Sequence, residues 1–102
     1  MEFSGFDWDA ANRDKCQKHG VSIAEIESLF SRNVSIAPDL RHSVHEERFK
    51  VVGATERGRK IFVAFTLRRR GGDVLIRPVS ARYMHLKEVK FYEKETSDAN
   101  KR

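Results

Sequence analysis

Arginine is the residue type to follow in this chain. A guanidinium keeps its charge at any ordinary pH and offers paired donors that match phosphate oxygens. Arg48, Arg68, Arg77 and Arg82 lie in or beside strand-forming runs, and Lys50 is close by. Groups able to move protons accompany them. His42 and His45 bracket the approach to Glu46, Glu47 and Arg48, and an imidazole titrates near neutrality. Glu47 is a second possible base, although a plain ion pair with Arg48 is an equal use for it. Further on, Glu88 and Tyr92 are four residues apart, which puts them on one side of a helix, with His85 on a similar stripe. Such a set could bind a polyanion and do acid-base chemistry on it. The His-x-x-His spacing of His42 and His45 also raises a metal site. On a strand those side chains face opposite ways and no third ligand follows from spacing, so neither metal nor cofactor is expected.

The elements that must position these residues can be read from pattern. A chain of 102 residues, 39% hydrophobic and with seven Phe, supports one modest core and one domain. The formal charge of +5 favours a polyanionic partner such as nucleic acid, while mild basicity also serves solubility. A lone Cys16 allows no internal disulfide and no cysteine-based zinc cluster, which points to a reducing cytoplasm. No apolar run is long enough for a membrane span, and the acidic start does not read as a signal peptide.

Phe6 and Trp8 mark a short first strand, and a helix follows with Asp7 or Asp9 as its cap and Gly20 at its end. Ser22 and Glu25 form a capping box, with Val21 and Ile26 as the staple, so a second helix starts there. Residues 33–43 suit a loop with a short strand at 34–37. Three strand-like runs then make an antiparallel meander. The last helix is expected over residues 83–94, with Leu86, Val89 and Phe91 as packing residues, and 96–102 as a disordered tail beyond a domain of residues 1–95. The fold class is α+β.

Register connects these elements to the chemistry. A two-residue turn at Gly71 and Gly72 puts Arg68 and Arg77 on one sheet face, together with Ala64 and Thr66. The opposite face carries Ile61, Val63, Phe65, Leu67, Val74 and Ile76, which is a core composition. A three-residue loop with Gly58 left-handed aligns Phe49 and Val51 with that core, whereas a two-residue loop drives Lys50 into it. Hence Arg48 and Lys50 join Arg68 and Arg77 on a polar, cationic face. That face could hold an RNA backbone, with Lys50, Thr66 and Arg77 as contacts, although antiparallel sheets also commonly leave a charged face in water.

The segments "FDWDAANRDKCQKHGVSIAEIESLF", "HSVHEERFKVVGAT" and "IRPVSARYMHLKEVKFYE" resemble the BrnT toxins, in order and over residues 6–92. The resemblance implies a RelE-like fold and a metal-independent ribonuclease that arrests translation. It also implies a BrnA-like ribbon-helix-helix antitoxin as partner, operator DNA reached only through that complex, and a toxin dimer within it. Cleavage of this kind needs the 2′-hydroxyl to lose a proton, charge on the phosphoryl oxygens to be stabilised, and the 5′-oxygen to gain a proton, leaving a cyclic phosphate. The family's matches at Arg48, Arg68, Arg82 and Glu88 are carried over as catalytic candidates, with His45 and Glu47 as possible acid or base. Glu88 would orient an arginine. For Tyr92 packing is the preferred role, and for Trp8 either core packing or an antitoxin contact; Leu86, Val89 and Phe91 read as packing residues, although an apolar patch left by incomplete burial would suit a bound antitoxin segment. The competing function is a non-catalytic module that binds nucleic acid or an acidic protein through the same face.

Overall fold

The computed structural model describes residues 2–100 except Asn33, Ser35 and Val44, and the side chains of Tyr92 and of residues 95–100 are also outside the description. Two short helices come first. Helix α1, Ala10–Gln17, is capped by Asp9: its carboxylate accepts the Asn12 N–H at 3.0 Å, and the Asn12 side-chain oxygen accepts the Asp9 N–H at 2.7 Å. Of the two aspartates that could cap it, Asp9 is the one used. The Asn12 side-chain nitrogen also donates to the carbonyls of Asp7 and Pro78, so a buried amide has its hydrogen bonds met while it ties the helix to the sheet. Helix α2, Ile23–Phe30, starts at the capping box of Ser22 and Glu25 that its sequence predicts, with Val21 and Ile26 both buried.

The sheet has five strands, in the order β1-β5-β4-β3-β2. These are β1 Gly5–Phe6, β2 Ile36–Pro38, β3 Phe49–Ala54, β4 Lys60–Arg70 and β5 Asp73–Tyr83. The expected three-stranded antiparallel arrangement is therefore the centre of a wider mixed sheet, because β1 pairs parallel to β5 and β2 pairs antiparallel to β3. The sequence marks both short strands, but their pairing to β5 and β3 joins residues far apart in the chain, which local pattern does not give. Pro38 sits in an edge strand, where a missing N–H is tolerated.

Both hairpins have the anticipated loops. Arg70 pairs with Asp73 around Gly71 and Gly72, and Gly71 has φ +61°. Thr55 N–H donates to the Arg59 carbonyl across a three-residue loop in which Gly58 has φ +83°, a conformation that costs glycine nothing. Phe49 then pairs with Phe65 and Val51 with Val63, so one face of β3, β4 and β5 is apolar. Cys16, Ile26 and Leu29 from the helices join Val51, Ile61, Val63, Phe65 and Ile76 in the core.

The end of β5 corrects the expected last helix. Residues through Tyr83 stay in the sheet: Arg82 pairs with Phe62, Tyr83 pairs with Ile61, and the Met84 N–H donates to the Lys60 carbonyl. The Tyr83 hydroxyl donates to the Glu25 carboxylate at 2.9 Å, and the Arg59 guanidinium lies 3.6 Å from the centre of its ring. Ladder pairing and this docking outweigh the helical spacing of the segment. The helix, α3, spans Leu86–Asn100, so it begins later than 83 and continues through most of the stretch expected to be a tail.

One irregularity decides which way the arginines face. Ala64 pairs with Ser80 but Phe65 pairs with Pro78, so Val79 is an extra residue in β5 and the strand's alternation changes phase there. Arg77 and Arg82 are an odd number of residues apart, and an unbroken strand would put them on opposite faces. The bulge puts them on one. Packing is equally strict at Gly53, where an added Cβ would lie 2.6 Å from Leu29 Cδ2 and 3.1 Å from Val34 Cγ1. Gly53→Ala is expected to destabilise the fold by about 1–3 kcal/mol through overpacking, measured by urea unfolding; an unchanged midpoint would contradict this tight contact.

Candidate functional site

The face away from the core is built in rows across the strands. Lys50 pairs with Ala64 and Ala64 with Ser80; Thr66 pairs with Arg77, Arg68 with Leu75, and Phe62 with Arg82. Arg48 immediately precedes Phe49, and Thr66 immediately follows Phe49's partner Phe65, so Arg48 enters at the Thr66 row. Ala64 and Thr66 are buried at the centre, while Arg48, Arg68, Arg77 and Arg82 are half-buried and Lys50 is exposed. Small residues thus form a floor with long cationic ones around it.

The cations differ in what holds them. Arg82 makes a two-pronged pair with Glu88, at 2.7 and 2.8 Å, and its guanidinium lies 5.1 Å from the Phe62 ring centre. Glu88 sits in the first turn of α3 and also accepts the His85 N–H at 3.0 Å, so one carboxylate starts the helix and clamps the arginine. Arg68 is paired with Glu46 from the loop before β3, and its guanidinium lies 3.5 Å from the Thr66 hydroxyl. That same loop is pinned where Arg48 begins: the Ser43 hydroxyl accepts the Arg48 N–H at 3.0 Å, and the Arg48 carbonyl accepts the Asp39 N–H at 2.7 Å.

Arg48 itself is unlike the others. Its Nε is buried without a hydrogen-bond partner, and its guanidinium has no ion pair among the described residues. Lys50 is likewise unpaired among the described residues. Among the described cations of this face, these two have no carboxylate to give up before meeting an anion.

Two of the expected RNA contacts, Arg77 and Thr66, have internal partners. Arg77 donates to Asp9 at 2.8 Å and to Asp7 at 3.4 Å, and is only 18% exposed. Asp7 also takes Arg70, at 3.3 Å, so this cluster fastens the start of α1 to the sheet. The cause lies in β1: its parallel pairing with β5 carries Asp7 and Asp9 past Arg77. Two aspartates before a helix were legible only as rival caps. Thr66, at 4% exposure, is floor beneath Arg68 rather than an open contact.

His45 and Glu47 are exposed and line a shallow groove of about 300 Å³ with Pro38, Leu40, Ser43 and Glu46, beside the entry of Arg48. His42 turns to Asp39 at 3.0 Å. Among the described residues no group of three or more His, Cys, Asp or Glu is placed to hold a metal ion. Burial pushes the Cys16 thiol up to about 11, and a thiol held neutral in the core is not a nucleophile for this site. Trp8 packs against the core's margin and donates its indole N–H to Glu27 at 2.9 Å. The Tyr92 side chain lies outside the described residues. The packing expected of Leu86 and Phe91 is corrected, since they are 70% and 64% exposed.

The clamp has a measurable electrostatic signature. Hydrogen bonds from Arg82 and then from the His85 N–H bring the Glu88 carboxyl from its ordinary 4.5 down to about 2. A carboxyl depressed in the folded state adds stability that is whole above about pH 4.5 and is lost as pH falls through about 2. The Glu88 side-chain carbon should therefore titrate near pH 2 by NMR, and Arg82→Gln should return its midpoint towards the ordinary value. An ordinary midpoint in the unsubstituted protein would rule out a persistent clamp.

Among the described residues no helix is long and apolar enough to cross a membrane. No curated protein matches the chain. A family model, described as "Ribonuclease toxin, BrnT, of type II toxin-antitoxin system", matches residues 8–88. The matched span takes in Arg48, Arg68 and Arg82 and closes on Glu88, which covers the geometry of the open face from its loop to its clamp. The chain belongs to the BrnT family of ribonuclease toxins of type II toxin-antitoxin systems.

Proposed function

We propose that this protein is a metal-independent endoribonuclease of RelE-like fold that cuts RNA on the open sheet face and thereby arrests translation in the cytoplasm. What supports this most is a pair of cations unpaired among the described residues, Arg48 and Lys50, beside two carboxylate-held arginines on one face of a chain from a ribonuclease toxin family. In the reaction, a base takes the proton of a 2′-hydroxyl and the oxygen attacks the adjacent phosphorus. The bond from phosphorus to the 5′-oxygen breaks, and that oxygen takes up a proton. The products are a 2′,3′-cyclic phosphate and a 5′-hydroxyl. Arg48 receives the phosphate and stabilises its growing charge, since a guanidinium without a partner needs no prior separation. Arg68 exchanges Glu46 for the substrate, and Arg82 is held in direction by Glu88. His45 and Glu47, exposed at the mouth, are the groups able to exchange protons.

Neutralisation falls to a BrnA-like antitoxin with a ribbon-helix-helix domain, which supplies contact with operator DNA, and the toxin is a dimer within that complex. The deciding experiment incubates purified protein with RNA in excess chelator and examines the 3′ ends. Cyclic phosphate ends are the expected result. Binding without scission would replace the enzyme with a nucleic-acid binding module.

A further inference from the structure

We propose that the outward stripe of α3 is a stacking platform for single-stranded RNA running off the sheet face, with Phe91 under a base and Lys87, Lys90 and Lys94 along the backbone. This rests on the ribonuclease reading and extends its binding surface to residues outside the site already described. Glu88, on one side of the first turns, is bound to Arg82, and Val89 is half-buried. Lys87, Lys90, Phe91 and Lys94 are all exposed. Their spacing of three and four residues aligns them on a common flank of the helix. The three lysines have no ion pair or hydrogen-bond partner among the described residues.

The composition of that flank selects its occupant. A docked amphipathic peptide needs a continuous apolar seam. Among the described residues of α3 the exposed large apolar ones are Leu86 and Phe91, five positions apart, which is about 140° around a helix. Phe91 instead has lysines four residues before it, one before it and three after it. A bare aromatic face among unpaired cations suits a nucleobase with a phosphate on either side, because every base has a π-face and every linkage a charge. Position agrees with this reading. The stripe begins one residue before Glu88, whose carboxylate is on Arg82, so it adjoins the arginine site in sequence and through that pair.

The test uses a fluorescein-labelled oligouridylate with 2′-O-methyl riboses, which lacks the attacking hydroxyl, and fluorescence anisotropy at several salt concentrations. Phe91→Ala is expected to weaken binding about tenfold, and Phe91→Tyr to restore it. Joint replacement of Lys87, Lys90 and Lys94 by Gln is expected to lower the slope of log affinity against log salt by about 2. All these side chains are exposed, and circular dichroism checks that α3 is kept. Phe91→Ala binding within about twofold of the parent, with an unchanged slope in the triple variant, overturns the platform while leaving cleavage by the parent intact. Loss of affinity for the antitoxin with RNA affinity retained also overturns it, and makes the stripe a protein interface. If the parent neither binds the probe nor cuts natural RNA, the ribonuclease reading falls and the platform with it.

Discussion

Arg48→Ala is expected to slow RNA cleavage by about 10²–10³-fold, while moving the unfolding free energy by less than about 1 kcal/mol. The combination follows from what Arg48 lacks. Its guanidinium has no ion pair among the described residues, and its buried Nε has no hydrogen-bond partner, so truncation removes no polar contact and relieves an unsatisfied donor. On the proposed mechanism the loss is confined to transition-state charge. Substitution at the neighbouring arginines mixes effects, because Arg68→Ala strands Glu46 and Arg82→Ala strands Glu88 at the start of α3. Arg48→Lys should recover only part of the rate, since an ammonium keeps the charge but not the paired donors. Rates come from single-turnover cleavage of a labelled RNA, and stability from urea unfolding on the same samples. Cleavage by Arg48→Ala within about twofold of the parent would remove Arg48 from the mechanism.

Phe65→Ala is expected to cost about 3–5 kcal/mol and to lower the melting temperature on the order of 20 °C. Phe65 is fully buried in β4 at the centre of an aromatic run. It meets Phe30 edge-on at 5.1 Å and stacks on Phe49 at 5.6 Å, so its ring joins helix α2 to strand β3. Removing it opens a cavity between rigid elements that cannot all close in. For a domain whose total stability is about 5–15 kcal/mol, that is a large share. Phe91→Ala is the matched control, since the same truncation on an exposed ring should leave unfolding nearly unchanged. A loss below about 1 kcal/mol at Phe65 would mean that the core repacks freely.

On the proposed reading, activity and stability belong to opposite faces of the same sheet. Phe65 and Arg48 lie within one residue of each other in register, since Phe65 pairs with Phe49 and Arg48 precedes it. Period-two alternation is what separates their roles.

What was legible in the chain by itself was local. Ser22 and Glu25 announce α2 because a capping box involves atoms three residues apart. Gly58, and Gly71 with Gly72, mark the hairpin loops, and the hydrophobic pattern selects the three-residue one; the resulting registers are those observed, up to the extra residue Val79 in β5. The gathering of Arg48, Lys50, Arg68 and Thr66 on one face followed from that. Family resemblance marked Arg82 and Glu88.

Only the tertiary structure decided the rest, because it depends on contacts between residues far apart in sequence. The extra residue Val79 turns Arg82 to the face of Arg77, and no spacing rule announces a bulge. β1 carries Asp7 and Asp9 past Arg77 and so removes a cation from the open face, although all three were in plain view. Tyr83 stays in the sheet because Ile61 and Glu25 hold it there. Arg48 and Arg68 are alike as residues, yet a carboxylate from the loop before β3 reaches Arg68 and, among the described residues, none reaches Arg48. Charge is written in the sequence, but whether a charge is free depends on which neighbours folding brings within hydrogen-bond distance.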